Sequence, residues 1–404
     1  MKYSGSGQAE KAYSLHQYNV EHFPDYNDLH VIWSQSELVR LDLQEGRYES
    51  ACAGADKLLG WPPNQNDLPR EIHVTAKRFA EAGKHDKACE LYLYNVDHFP
   101  TDMYAMWSQV EIVYFHIRDG NDAAADDAFD KLLTAFADQP TLPKEIYQVG
   151  DQYAKARKYD KAAALYQHVI ANWPGTEYEM WARTGNVRID ILAGNQTAVE
   201  PAIDTLIADF NDNPDLPTAI FMLGEQYYNK AFQFENESRE AEAKEHFRKA
   251  IAIWERIIQE LPVNEPHTAH AHYFSAVCYR RLGNYEKAVE RFQKVVTDWP
   301  NYQYAWSAQC LIGECYEKLG DSGKIPKSEA EPEIEKAYYA VIEKYPDCCL
   351  VSHAGLKLGE LYSQRGQQTE AAVCFELFLE TANPGDPRIE SIKKRLEELG
   401  GLNK

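Results

Sequence analysis

The densest group of side chains able to hold a metal or move a proton is His267, His270 and His272, in the run PHTAHAH. His267 and His270 are three apart, so at a helix start they share one side and a metal could use both. No carboxylate or thiol stands at an obvious completing position, and His272 points elsewhere. The expected role is a packed or solvated helix terminus, and no metal ligand is assigned. The eight cysteines show neither zinc spacing nor the density of a disulfide framework. Cys89, Cys278, Cys310 and Cys374 fall in helical patterns, where Cys serves as a small apolar residue. Cys310 and Cys315 are five apart and point to different faces, whereas Cys348 and Cys349 are adjacent in a loop. No H-E-x-x-H, G-x-S-x-G, P-loop or strand-borne G-x-G-x-x-G is present. The expectation is therefore no catalytic residue, no cofactor and no enzyme. Asn195-Gln196-Thr197 and Asn236-Glu237-Ser238 match the glycosylation sequon, but so short a match carries no weight.

A second set of side chains is electrostatic. An acid directly follows a glycine at Asp151, Glu225, Glu314 and Glu360. The helical period puts these acids on one face with Tyr147, Phe221, Tyr228, Tyr273, Arg280, Glu317 and Leu356. A charged row of this kind is ordinarily a solvated helix face. Taken together, the set describes an acidic ladder with Tyr/Phe platforms, suited to a basic or Tyr-contacting peptide.

Composition narrows the partners. The formal net charge is −21 over 404 residues, and no basic stripe is found, so nucleic acid is not an expected partner. No apolar run reaches the ~18–20 residues of a membrane-spanning helix, and MKYSGSGQAEKAYS has no apolar h-region. Direct membrane insertion is not expected, and the oligomeric state stays open.

The elements that carry these residues follow from the stretch His267–Pro300. Ala269, Tyr273, Ala276, Val277 and Tyr279 recur every three or four positions, and Ala288, Phe292, Val295 and Val296 resume after Leu282-Gly283-Asn284. That period predicts two amphipathic helices joined by a glycine turn and stopped at Pro300. Ala276 and Ala288 are small where the helices should cross. Alanine, an aromatic or His four residues on, and Pro eight beyond recur as Ala12/His16/Pro24, Ala88/Tyr92/Pro100, Ala162/Tyr166/Pro174, Ala250/Trp254/Pro262 and Ala288/Phe292/Pro300. An apolar-Gly-x-x-Tyr half recurs at Gly150/Tyr153, Gly224/Tyr227, Gly313/Tyr316 and Gly359/Tyr362. Trp33, Trp107 and Trp181 repeat at 74-residue intervals, as do Leu68-Pro69, Leu142-Pro143 and Leu216-Pro217.

These motifs resemble the tetratricopeptide repeat (TPR), over residues 1–384. The resemblance implies an all-α, right-handed superhelical TPR solenoid of about nine antiparallel helical hairpins plus a half. Three double-hairpin units are expected over 1–216, the first incomplete, with Met1–Tyr3 as the tail of a missing helix. Residues 217–384 continue the array with an extended hairpin near Phe232–His246. A loop or helix-opening insertion follows at 321–336, marked by Pro326 and Pro332. Residues 385–404, with Pro387 opening a charged helix, form a C-terminal cap. TPR proteins bind peptides or helices in the concave groove of their first helices, so the face described above becomes the expected binding groove. The implied function is a non-catalytic protein-interaction scaffold. The alternatives are a regulatory or substrate-positioning arm of an enzyme whose catalytic domain lies upstream, and an α/α-toroid carbohydrate enzyme, which the repeat pattern disfavours. The acids depart from the Lys, Arg and Asn of the chaperone-type carboxylate clamp. Trp299-Pro300 and Tyr304-Ala305 are similar in style to bacterial cell-envelope TPR proteins, which implies an envelope or periplasmic setting. The cysteine usage points instead to a reducing one such as the cytoplasm.

Overall fold

Proline and glycine place the helix ends. Pro69, Pro143 and Pro217 each stand in the first turn of a helix, where the missing N–H has no intrahelical partner to lose. At the turns within hairpins, Gly83 and Gly283 take φ of +72° and +75°. The next amide then returns to the preceding helix, Lys84 N to Phe79 O at 2.8 Å and Asn284 N to Tyr279 O at 2.9 Å. Arg157 and Ser238 hold the same left-handed turn position at φ 60° without glycine's freedom.

The computed structural model describes residues 6–23, 29–62 and 67–401. Met1–Tyr3 and Pro24, both used in the repeat alignment, lie outside the described residues. Among the described residues are 20 α-helices and no strand. They run α1 (Ser6–His22), α2 (Leu29–Gln44), α3 (Tyr48–Leu59), α4 (Leu68–Glu81), α5 (His85–His98), α6 (Met103–Arg118), α7 (Asp122–Ala135), α8 (Leu142–Lys155), α9 (Tyr159–Asn172) and α10 (Glu177–Ala193). They continue as α11 (Gln196–Phe210), α12 (Leu216–Asn236), α13 (Glu240–Glu260), α14 (His267–Arg281), α15 (Tyr285–Asp298), α16 (Ala305–Asp321), α17 (Lys327–Lys344), α18 (Val351–Gln364), α19 (Gln368–Thr381) and α20 (Ile389–Gly401). The chain divides into two compact units, Met1–Ile189 and Asp190–Lys404. The first unit holds α1, the hairpins α2/α3, α4/α5, α6/α7 and α8/α9, and most of α10. The second holds α11, the hairpins α12/α13, α14/α15, α16/α17 and α18/α19, and α20. First helices pack on first helices, α4 against α2 and α6, and α12 against α14. Each unit is thus an array of antiparallel helical hairpins, as the resemblance to the TPR implies.

One contact recurs inside the hairpins. Gly150 of α8 lies under the Tyr166 ring, so close that a Cβ would stand 2.7 Å from Cε1. Gly313 repeats this with Tyr338 at 2.7 Å, and Gly224 and Gly359 do so with Trp254 and Phe375. All four aromatic side chains are fully buried. Ala276 and Ala288 are likewise at 0% exposure, as their small size at the crossing requires.

Two segments depart from simple repetition. Helices α12 and α13 have 21 residues each, against 14 each in α8 and α9, which gives the lengthened hairpin. Of the two alternatives for the insertion at 321–336, loop or helix opening, the structure shows mostly helix. There α17 starts at Lys327, with Pro326 as its N-cap and Pro332 inside it. Pro332 removes one backbone bond near the helix start, while buried Ala330, Ile334 and Ala337 hold the turn against the core. Pro387 precedes the last helix rather than opening it: α20 begins at Ile389, and the Asp386 carboxylate accepts from the Arg388 amide at 2.9 Å. Ile392 of α20, at 3% exposure, joins the core formed by α16 to α19.

Candidate functional site

In the first unit, the expected face contributes Tyr147 and Asp151 of α8. Its acid is not free. Arg188 of α10 donates to the Asp151 carboxylate and to the Tyr166 hydroxyl (2.8 Å), and that hydroxyl in turn donates to Asp151 at 2.6 Å. The Arg188 and Asp151 side chains are only 15% and 21% exposed. Burial first, and then the Asp151 charge, push the Tyr147 hydroxyl up to about 12. Its ring sits 5.6 Å from Tyr166 and 6.5 Å from Trp181. The result is a closed network in which every charge is answered.

The second unit carries the remaining residues. Glu225 of α12 is exposed and has no ion pair among the described residues. Glu314 pairs with Arg280 at 3.4 Å across α16 and α14. Glu317 accepts from Lys357 Nζ at 2.9 Å and from the Tyr338 hydroxyl at 3.0 Å. Glu360 is half-buried, within electrostatic reach of Lys357 and Arg388. The ladder of acids is therefore largely a ladder of ion pairs, because a neighbouring first helix supplies a cation at the same level. Arg188 and Lys357, which reading one helix at a time does not bring to the face, supply two of those cations.

Aromatic side chains form a strip over α12, α14 and the start of α16. Phe221 stacks on Trp254 at 5.4 Å and meets His270 at 5.4 Å and Phe274 at 5.7 Å. Tyr228 lies 5.5 Å from Phe274. Tyr273 turns inward at 9% exposure, with its hydroxyl 2.9 Å from Ser307 Oγ and its ring stacked on Tyr304 at 5.0 Å. Phe274, beside it and half-buried, takes the surface place. The spacing His270, Phe274, four residues apart on one helix side, was the available sign for that residue.

The three histidines of PHTAHAH go to protein partners. His267 Nε2 is 2.9 Å from Thr218 Oγ1, and His270 Nδ1 is 2.8 Å from the Pro266 carbonyl. His272 is 4% exposed against Trp299, and Arg291 reaches its Nδ1 at 3.4 Å. Burial, helped by Arg291, lowers its pKa to about 4. A different trio is gathered by the fold: Cys310 and Glu314 of α16 with His353 of α18. Cys310 and Glu314 are four apart on one helix face, but nothing local in the sequence ties them to His353. Two of the clefts in this unit bear on these residues. One of about 250 Å³ adjoins that trio, lined by Arg280, Tyr285, Glu317 and Lys357. A larger one of about 960 Å³ lies along the second helices α15 and α17, beside Val296, Lys336 and Tyr339. No described helix is long and apolar enough to cross a membrane.

Tetratricopeptide repeat family models match residues 146–176 and 236–303. No curated protein matches the chain. Among solved structures, the C-terminal part of a TPR repeat-containing protein from Cytophaga hutchinsonii is 17% identical, with a TM-score of 0.44 over 70% of this chain and 98% of that one. A tetratricopeptide repeat protein from Parabacteroides merdae is 14% identical, with a TM-score of 0.29 over 73% of this chain and 98% of that one. The human IFIT1 dimer with m7Gppp-AAAA is 12% identical, with a TM-score of 0.36 over 98% of this chain and 87% of that one.

Proposed function

Since this chain is a tetratricopeptide repeat protein, we propose that it is a non-catalytic scaffold that holds a segment of a protein partner on the face of its first helices. The observation that carries this reading is the half-buried aromatic strip of Phe221, Tyr228, His270 and Phe274, with exposed Glu225 on the same helix as two of its members. Rigid aromatic rings supply contact area at little entropic cost, and one unanswered acid beside them orients a basic group. The partner segment is accordingly apolar or aromatic with a nearby Lys or Arg. Asp151 and Glu317 act mainly in holding neighbouring first helices in register, through Arg188 and Lys357. In organisation, three double-hairpin units over 1–216, a varied array over 217–384 and a cap over 385–404 describe the repeat.

The test is an array of overlapping peptides probed with the full chain. Phe274→Ser and Glu225→Lys should each abolish most captured spots, with the second acting mainly on basic peptides. Tyr339→Ser, in the cleft along the second helices, should leave the pattern unchanged. Loss with Tyr339→Ser alone would move the binding surface to that cleft and overturn the reading.

A further inference from the structure

Cys310, Glu314 and His353 offer one thiol, one carboxylate and one imidazole whose ligating atoms all lie within 4.8 Å of one another. Two of them sit one helical turn apart on α16, so their separation is set by backbone geometry. The third comes from α18. The Cys310 side chain is 1% exposed, while Glu314 and His353 are 31% and 25% exposed. His353 Nε2 is buried and has no hydrogen-bond partner, and the nearest Glu314 oxygen is 3.8 Å away. An imidazole nitrogen left without a partner beside a thiol and a carboxylate is the arrangement a metal would complete. The other Glu314 oxygen is held by Arg280 at 3.4 Å, which leaves Oε1 turned toward His353.

We propose that Cys310 Sγ, Glu314 Oε1 and His353 Nε2 bind one divalent transition-metal ion of the zinc type on the first-helix face of the second unit. Ligand softness selects the ion. A thiolate and an imidazole favour zinc or cobalt over magnesium or calcium, which take oxygen donors. A thiolate and a carboxylate also neutralise the charge of a divalent ion. Binding exchanges the Cys310 S–H bond for a sulfur–metal bond and releases the proton to solvent, so affinity rises with pH. Tetrahedral zinc holds such ligands roughly 3.3–3.6 Å apart, so the trio closes by about 1 Å through rotation of the partly exposed Glu314 and His353 side chains. Three protein ligands leave a fourth position toward the cleft of about 250 Å³ lined by Arg280, Tyr285, Glu317 and Lys357. The site needs no partner, so it stands or falls separately from the peptide-binding reading.

The experiment uses the full chain, stripped with a chelator, loaded with zinc or cobalt(II) alone and desalted. One equivalent should be retained, and the cobalt form should show a thiolate-to-metal charge-transfer band. Cys310→Ser should remove that band, and His353→Gln and Glu314→Gln should each weaken binding at least about tenfold. His267→Gln should change nothing. Circular dichroism checks each fold, and if Cys310→Ser does not fold, the partly exposed His353→Gln decides the matter. Less than stoichiometric retention by the parent, or retention unaltered in His353→Gln, would overturn the site.

Discussion

Asp151 in the first unit and Glu314 in the second occupy the same place in their hairpins. Each follows a glycine covered by a buried tyrosine, Gly150 under Tyr166 and Gly313 under Tyr338. What surrounds them differs. Asp151 is gripped by Arg188 and by the Tyr166 hydroxyl. Glu314 has a looser partner in Arg280, and beside it both Arg280 Nε and His353 Nε2 are buried without a hydrogen-bond partner. A repeat therefore supplies a position, and the adjoining first helix decides whether that position closes a structural network or stays open for a ligand.

The largest expected effect separates the two acids. Asp151→Ala leaves Arg188, 15% exposed, without its anion, and the loss of stability should approach the ~3–5 kcal/mol of a broken buried pair. Glu314→Ala touches a pair whose members are each about one-third exposed, and should cost no more than about 1 kcal/mol. Denaturant unfolding of the two variants measures the gap, and equal losses would erase the distinction. Next in size is the feature the regions share. Gly150→Leu and Gly313→Leu should each destabilise by about 1–3 kcal/mol, because both drive a side chain into a buried ring. An unchanged thermal midpoint in either would mean that the two acids do not stand on a common frame.

The last effect vanishes near neutral pH and tests whether burial, rather than pairing, governs His272 of α14. His272 faces Arg291, Lys294 and Asp298, and its pKa is lowered from 6.5 to about 4 in the folded chain. Between these values only the unfolded chain takes up the proton, so stability is full above about pH 6.5 and declines toward pH 4. His272→Gln should flatten that part of the thermal-midpoint profile. A variant whose profile falls as steeply as the parent's would remove His272 from the acid sensitivity.

The hairpins were legible because their signals are local. Ala162 with Tyr166, Gly224 with Tyr227 and the prolines at 69, 143 and 217 all lie within a turn or two of what they specify. The chemistry of the face was not legible in the same way. Arg188 reaches Asp151 across 37 residues and Lys357 reaches Glu317 across 40. A single helix wheel shows the acid and omits the cation. His353 joins Cys310 and Glu314 only because α18 stacks beside α16. Pro332 left loop and helix opening both open for the opposite reason: its local signal is a break, and the buried side chains around it outweigh one lost backbone bond.

Hydrogen exchange of the full chain, with and without the tightest peptide from the array, tests the binding face most directly. Slowed exchange along α12, α14 and the start of α16, centred on Phe221 to Tyr228 and His270 to Phe274, is the predicted result. Protection confined to α15 and α17 around Tyr339, with those first helices unchanged, would contradict it.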